Sequence, residues 1–116
     1  MKRYVIDIDG TICYPGKEDK RYTHANPRWD RIQVINRLYD DGNYVVYLTA
    51  RGMGRFENSR ELAEKEFYDF TDSQLNSWGC KYHELHLGKP SGDYYIDDKG
   101  ISDDDFFTKR PDKICP

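Results

Sequence analysis

The chain has 116 residues, 37% of them apolar, and its formal net charge is −3 at pH 7. This length predicts one small domain over residues 1–116 with a thin core. The acidic balance argues against a general nucleic-acid binder and no apolar stretch approaches a membrane span, so we expect neither kind of partner.

The first predicted strand ends on two acids. An apolar run at 4–6 is followed directly by the sequence DIDGT at 7–11. Residues two apart on an extended segment point the same way, so Asp7 and Asp9 should lie side by side. Burying such a pair is costly unless a cation lies between its members. The pattern indicates a metal-dependent catalytic site in which one acid is the nucleophile.

A helix and a second strand are predicted after a polar stretch at 12–25. Asn26 is predicted as the N-cap, with Pro27 at the first helical position. Apolar residues recur at helical spacing through residue 39, and Gly42 ends the helix. A buried strand at 44–48 then leads into Thr49-Ala50-Arg51.

The remaining elements continue the alternation of helix and strand. A helix is predicted over 58–70, and a capping box at Thr71 and Gln74 predicts a separate short helix through residue 78. Strands are predicted at 82–87 and 94–96, and the acidic run 103–105 predicts a helix start. Strands separated by helices predict an α/β domain with a parallel sheet.

Polar side chains follow each of the four predicted strands. In chain order they are Asp7 and Asp9, Thr49 to Arg51, Lys89 within Gly-Lys-Pro, and Asp97 with Asp98. The carboxyl ends of parallel strands share one edge of the sheet, where ligands bind in open α/β folds. Acids for a hard cation, together with a hydroxyl, a lysine and a guanidinium, indicate a phosphate site with its metal. Ligands that are all oxygens favour Mg²⁺ over zinc.

The series DIDGT, LTAR, GKP and YYIDDKG resembles the four motifs of the haloacid dehalogenase superfamily, whose members are mostly magnesium-dependent phosphatases. The motifs occur in the same order, each after a predicted strand, and they span most of the chain. The resemblance implies a three-layer, Rossmann-like domain with a small parallel sheet.

The resemblance also implies a role for each matched position. Asp7 matches the nucleophile that becomes an aspartyl phosphate, and Asp9 matches the general acid and base. Thr49 matches a hydroxyl that holds a phosphoryl oxygen, and Lys89 matches the lysine that neutralises the nucleophile and the transferring group. Arg51 either binds substrate phosphate or pairs with a structural acid. The implied Mg²⁺ ligands are Asp7, the backbone carbonyl of Asp9, Asp97 and Asp98, and the implied phosphate-binding positions are Gly10, Thr49, Ala50, Arg51 and Lys89.

Relatives in this superfamily often carry a cap domain that selects the substrate. Here 12–25 is too short for a domain, and 52–81 is accounted for by predicted helices and a loop, so we expect a capless protein. The segment 52–70 is the candidate for a partial lid. The short chain after the fourth predicted strand predicts an exposed sheet edge, which favours a homo-oligomer.

Within the superfamily the pattern is most similar to short bacterial phosphatases assigned to capsule or surface-polysaccharide biosynthesis. It implies a Mg²⁺-dependent phosphomonoester hydrolase that acts on a phosphorylated sugar or another small metabolite. One alternative is a nucleic-acid 3′-end phosphatase, which would need a basic patch. The candidate residues for that patch are Lys17, Lys20, Arg21 and Arg28. A second alternative is a catalytically idle binding or scaffold protein.

Several other residues have weaker functional interpretations. His24 is interpreted as a surface residue, with substrate contact as the alternative, and Tyr14 and Tyr22 are candidates for the pocket entrance. His83 and His86 are interpreted as structural. The three scattered cysteines form no C-x-x-C pair, which predicts small packing residues in a reduced, cytoplasmic protein. These cysteines are Cys13, Cys80 and Cys115.

Overall fold

A short parallel sheet with helices packed against it forms the centre of the structure, a computed structural model that describes residues 1–16 and 22–109. In chain order the elements are β1 (Arg3–Ile6), β2 (Cys13–Tyr14), β3 (Asn26–Pro27), α1 (Trp29–Asp40), β4 (Tyr44–Thr49), α2 (Arg60–Ser77), β5 (Glu84–Leu87) and α3 (Asp103–Lys109). Within the described residues the fold is therefore α/β, with a three-stranded parallel sheet and three helices.

The register of the sheet brings the carboxyl ends of its strands together. The order is β1-β4-β5, with Ile6 opposite Tyr47 and Thr49 opposite Leu87. Beyond β5, the main-chain N–H of Lys89 donates to the carbonyl of Thr49 at 3.2 Å. The residues that follow all three strands consequently lie at one edge of the sheet, as predicted for a ligand site.

α1 buries three of the apolar positions predicted from the sequence spacing, namely Ile32, Ile35 and Leu38, whereas Trp29 is 54% exposed. α1 packs on β4, and α2, with Phe67 and Leu75 buried, packs on β5. Tyr4 of β1 meets Phe106 of α3 edge to face at 6.1 Å between ring centroids. In the part of the chain that the structure describes, no helix combines the length and the apolar character needed to cross a membrane.

The predicted start of α1 is wrong. Asn26–Pro27 forms β3, which pairs antiparallel with Cys13–Tyr14, and the helix begins at Trp29. Arg28 is at the N-cap without a side-chain cap bond, and its own N–H donates to the carbonyl of Ile12 at 2.9 Å. The pairing of Asn26–Pro27 with Cys13–Tyr14 therefore overrides the preference of Asn26 for the N-cap position, because local preferences of this kind yield to tertiary contacts.

The prediction of two helices between 58 and 78 is also wrong, because α2 runs without a break from Arg60 to Ser77. Its N-cap is Ser59, whose hydroxyl accepts a hydrogen bond from the N–H of Leu62 at 3.3 Å. The side chains of Thr71 and Gln74 make tertiary hydrogen bonds and do not cap a helix. Thr71 accepts from the guanidinium of Arg51, and Gln74 donates to the carbonyl of Tyr22.

The predicted strand at 94–96 is wrong. These residues join no ladder, and Tyr94 and Ile96 are 87% and 96% exposed. The hydroxyl of Tyr95 instead donates to the carbonyl of Pro90 and accepts from the N–H of Gly92. Among the described residues the outer edge of β1 has no partner strand, and Val5 on it is 58% exposed.

The helix predicted to start at the acidic run 103–105 is confirmed as α3. Its first turn is held by Arg31 of α1, whose guanidinium contacts Asp103 at 2.6 Å and Asp104 at 2.8 Å. The same guanidinium donates to the carbonyl of Thr11 at 3.1 Å. One buried arginine thus connects α1, α3 and the turn that follows the first two acids.

Candidate functional site

A pocket of about 320 Å³ lies at the carboxyl edge of the sheet. Six of the residues singled out from the sequence as site candidates line it, together with two tyrosines. They are Asp7, Asp9, Thr49, Ala50, Arg51 and Lys89, with Tyr22 and Tyr95. The residues that follow β1, β4 and β5 therefore do converge.

Asp7 follows β1 directly and is partly buried. Its Oδ2 accepts a hydrogen bond from the Thr11 hydroxyl at 3.2 Å, and its Oδ1 lies 3.5 Å from Nζ of Lys89. Burial raises the pKa of Asp7 above its ordinary value, against the opposing effect of the Lys89 ammonium. The carboxylate is thus held by the Thr11 hydroxyl and faces the Lys89 ammonium across the pocket.

Asp9 is held by a bidentate ion pair with Arg51. Arg51 donates from Nε to Asp9 Oδ2 at 2.9 Å and from Nη2 to Asp9 Oδ1 at 3.0 Å. This parallel geometry fixes the plane of the carboxylate as well as its position. Of the two alternatives for Arg51 left by the sequence, the structure displays pairing with an acid, and that acid is Asp9.

The Cys13 thiol also contacts Asp9. Its Sγ lies 3.5 Å from Asp9 Oδ1. Burial, and next the Asp9 charge, raise the pKa of Cys13 to about 12, so at neutral pH the group stays a thiol and can donate. Cys13 and Cys80 are buried and free, as expected for packing residues, while Cys115 lies outside the described residues.

Arg51 is itself held from two sides. Its Nη1 donates to the hydroxyl of Thr71 in α2 at 3.3 Å, and its guanidinium carbon lies 4.7 Å from the ring centroid of Tyr22. The Tyr22 hydroxyl accepts from the N–H of Gly52 at 3.0 Å. Gly52 has φ +79°, and a Cβ there would come within 2.7 Å of Phe67, so glycine is required at this turn.

Thr49 ends β4 with its hydroxyl in the pocket wall. Its Oγ1 accepts from the main-chain N–H of Arg51 at 3.1 Å. Because the backbone supplies the donor, the hydroxyl hydrogen remains to be donated to another oxygen. This arrangement suits a group that holds a phosphoryl oxygen.

Lys89 lies between an acid and an aromatic ring. Its Nζ is 3.5 Å from Asp7 Oδ1 and 4.3 Å from the ring centroid of Tyr95. A cation over an aromatic face is favourable by about 0.5–2 kcal/mol. Tyr95 thus helps to keep the ammonium beside Asp7.

Three other site candidates lie outside this pocket. Gly10 does not line it and donates its N–H to the carbonyl of Cys13 at 2.9 Å. Asp97 and Asp98 are exposed, and Asp97 Oδ1 accepts from the N–H of Lys99. Within residues 1–16 and 22–109, no three histidine, cysteine or acidic side chains are grouped so that they could hold a metal.

The weaker candidates are resolved in part. Tyr22 lines the pocket, whereas Tyr14 and His24 are exposed and do not. His83 stacks between the rings of Tyr39 and Tyr44, as a structural residue would. Of the proposed basic patch, Lys17, Lys20 and Arg21 lie outside the described residues, and Arg28 stacks over the ring of Tyr14.

Sequence reasoning missed three residues that complete the site: Tyr95, Cys13 and Thr71. The sequence pattern predicts a strand at Tyr95, although its aromatic ring two residues before Asp97 is a usable signal for the site. Cys13 comes four residues after Asp9, across a turn, and Thr71 lies twenty residues beyond Arg51 in the middle of a helix. No local pattern connects either of them to the acids, because only the tertiary fold brings them together.

The charged groups that line the pocket balance one another. Two carboxylates face two cations, arranged as the pairs Asp9–Arg51 and Asp7–Lys89. A phosphate monoester carries between one and two negative charges at neutral pH. A dianion entering this pocket would find both cations already engaged, so its binding calls for additional positive charge.

No protein-family model and no curated protein matches this chain. Among solved structures, the chain is similar to a structural-genomics target from Vibrio cholerae, with a TM-score of 0.87 and 26% sequence identity. The match covers 98% of this chain and 94% of that one. The description of that protein names no activity, so the similarity supports the α/β fold.

Proposed function

We propose that this protein is a Mg²⁺-dependent phosphomonoester hydrolase that works through an aspartyl phosphate. The observation that carries the proposal is the placement of Asp7. It is a partly buried carboxylate at the carboxyl end of a strand, beside Lys89 and in one pocket with Thr49. We extend the proposal to the fold, as a capless, Rossmann-like domain of the haloacid dehalogenase type.

Each pocket residue has a part in the proposed reaction. An Asp7 oxygen attacks phosphorus, and the bond from phosphorus to the leaving oxygen breaks. Asp9 gives its proton to that leaving oxygen and then takes a proton from the water that hydrolyses the aspartyl phosphate. Thr49 holds a phosphoryl oxygen, and Lys89 reduces the repulsion between the two anions.

Mg²⁺ is part of the proposal because the pocket is charge-balanced without substrate. When bound, the ion would supply positive charge at the phosphoryl group beside Asp7. The described residues offer an incomplete set of ligands, since Asp97 and Asp98 are exposed outside the pocket. They belong to the segment that contains Tyr95, which does reach the pocket. We propose that Asp97, with Asp98, completes the set when this segment moves toward Asp7.

The substrate that we propose is a small phosphorylated metabolite, with a phosphorylated sugar of polysaccharide biosynthesis as the first class to test. The pocket volume of about 320 Å³ and its two tyrosines suit a compact ring-shaped leaving group. The proposed setting is cytoplasmic.

The test is phosphate release from a panel of esters with Mg²⁺ present. The panel contains 4-nitrophenyl phosphate, sugar phosphates, nucleoside monophosphates and a 3′-phosphorylated oligonucleotide. We expect turnover that EDTA abolishes and that Asp7→Asn lowers by at least about 10³-fold. Asp69→Asn, at an exposed position on α2, is the matched control and should behave as the wild type.

The pattern of activity separates the proposal from its alternatives. Preference for the oligonucleotide over every small ester would favour a nucleic-acid end phosphatase. A folded wild-type protein that releases no phosphate from any ester, with Mg²⁺ present, would contradict the proposed activity and leave a binding role.

A further inference from the structure

We infer that Arg51 is a positioning residue that orients Asp9 for proton transfer, and that it does not act as a ligand of substrate phosphate. The inference rests on the proposed function, because it assigns to Asp9 the proton that the leaving oxygen receives. It comes from the contacts of Arg51 with the carboxylate, with α2 and with Tyr22.

The orientation of Asp9 is set by both of its oxygens. Oδ1 accepts from Arg51 Nη2 at 3.0 Å and lies 3.5 Å from the Cys13 thiol. Among the described residues, Oδ2 accepts a single hydrogen bond, from Arg51 Nε at 2.9 Å. A carboxylate oxygen has two lone pairs, so Oδ2 retains one for a proton. The hydrogen bonds from Arg51 therefore leave Oδ2 as the Asp9 oxygen that carries the proton and gives it to the leaving oxygen.

The burial of Arg51 argues against a role as a phosphate ligand. Only 1% of the residue is exposed, although it lines the pocket. Three of its five N–H groups are used on Asp9 and Thr71. Moving it toward a phosphate would leave the Asp9 carboxylate without its cation, which is costly in a partly buried site.

Thr71 and Tyr22 keep the guanidinium in the plane of the carboxylate. Thr71 accepts from Nη1, on the side away from Asp9, and the Tyr22 ring covers one face of the guanidinium at 4.7 Å. The side chain is therefore fixed along its hydrogen-bonding edge and across its face. Loss of the Thr71 hydroxyl should loosen Arg51 while leaving both members of the ion pair present.

The test compares esters whose leaving groups differ in their need for a proton. Phenyl phosphate expels a poor leaving group that must be protonated, whereas 2,4-dinitrophenyl phosphate expels a stable anion. We would measure kcat/KM for both, because this quantity reports the steps up to departure of the leaving group. The variants are Arg51→Lys and Thr71→Val, with Thr71→Ser as the control that retains a hydroxyl.

Arg51→Lys should lower kcat/KM for phenyl phosphate by about 10²-fold, the usual scale of general acid catalysis. The value for the dinitrophenyl ester should change far less, since its leaving group needs no proton. Thr71→Val should lower kcat/KM for phenyl phosphate selectively as well, but to a smaller degree. Thr71→Ser should retain most of the wild-type kcat/KM because it keeps the hydroxyl. Circular dichroism and thermal melts establish that each variant is folded.

The outcomes separate this inference from the proposed function. If the wild type is active but Arg51→Lys slows both esters equally, or raises only KM, Arg51 acts on substrate or on the fold and the positioning role is overturned. A folded Thr71→Val variant that retains wild-type kcat/KM for phenyl phosphate would overturn the contribution of α2. A wild type without phosphatase activity would instead overturn the proposed function itself.

Discussion

At the scale of single residues, the two acids of the DIDGT turn are held in different ways. Asp9 has a buried guanidinium across both of its oxygens, whereas Asp7 has an ammonium at 3.5 Å, a hydroxyl at 3.2 Å and a main-chain hydrogen bond from Ile8. The weaker compensation leaves burial as the main influence on Asp7, and burial raises its pKa. We therefore expect the charged form of Asp7 to lower the stability of the protein when no metal is bound.

We predict that Asp7→Asn stabilises the metal-free protein while it abolishes catalysis. Because the folded-state pKa is raised, the folded protein binds more protons than the unfolded protein between the two pKa values. The contribution of Asp7 to the free energy of unfolding is thus favourable in acid and falls as pH rises through that window. At neutral pH the variant should gain about 1 kcal/mol, or several degrees in Tm.

Thermal melts in EDTA at pH 4 and pH 7 would check this prediction. The gain should be larger at pH 7, where Asp7 is charged in the wild type, than at pH 4. Thr11→Val is a useful comparison, because it removes the hydroxyl that stabilises the carboxylate and should lower Tm at pH 7. A neutral or lower Tm for Asp7→Asn at pH 7 would show that Lys89 already compensates the charge.

At the scale of the elements, sequence periodicity identifies the buried strands but not the features that depend on contacts between distant residues. Buried apolar runs located β1, β4 and β5, and the strand ends therefore identified Asp7, Asp9, Thr49 and Lys89. Thr71 and Gln74 match the capping-box pattern although they lie inside α2, because the same side chains serve for capping and for tertiary hydrogen bonds. Only the fold reveals that Thr71 serves Arg51.

The strand predicted at 94–96 failed for a related reason. Its residues favour strands, but propensity in a sheet depends on having a neighbour to pack against. Here Tyr95 turns to Lys89, and its hydroxyl is bonded to Pro90 and Gly92. Local bonds in a Gly- and Pro-containing loop thus replaced the ladder that the pattern predicted.

The docking of α3 yields a prediction about Arg31. Its guanidinium bonds to Asp103 and Asp104, donates to the carbonyl of Thr11 and lies over the ring of Phe107 at 4.6 Å. We expect Arg31→Met to lower the free energy of unfolding by about 1–3 kcal/mol. It should also speed amide hydrogen exchange in α3 more than elsewhere.

Arg37→Met is the matched control, because Arg37 is exposed in the last turn of α1. It should change stability by less than about 0.5 kcal/mol. Chemical denaturation and exchange mass spectrometry would measure both variants. Equal losses in the two, or exchange in α3 that does not change in Arg31→Met, would mean that this helix is held by its phenylalanines instead.

At the scale of the whole molecule, the described sheet is short and has two edge strands, β1 and β5. The outer edge of β1 has no partner strand among the described residues, and the segment with Tyr94 and Ile96 is exposed. Unpaired edges are sites of association, so the homo-oligomer expected from the sequence would form through such an edge. The proposed metal ligands Asp97 and Asp98 lie on the same exposed segment.

We predict that Mg²⁺ protects this segment from proteolysis. Chymotrypsin should cut the metal-free protein after Tyr94, which is 87% exposed. If Asp97 binds the ion at the pocket, an Mg²⁺ concentration ten times the Kd should slow this cut by about tenfold. Asp97→Asn should remove the protection, whereas Asp93→Asn, an exposed neighbour outside the proposed ligand set, should retain it.

Mass spectrometry of the fragments over time would measure the rate of cutting at this position. Cutting that proceeds equally fast with and without Mg²⁺, while other sites in the protein also stay unchanged, would contradict ligation by Asp97. Protection that persists in Asp97→Asn would assign the ion to other oxygens.

The buried pair of Asp9 and Arg51 also restricts how this protein can diverge. Replacing either partner by a neutral residue leaves the other charge without its counterion, a loss of up to about 3–5 kcal/mol and thus a large part of the stability of a small domain. Neutral drift at these two positions must then proceed by paired replacement. Homologues that lack the arginine should lack the aspartate as well, and with it the proton donor of the proposed reaction.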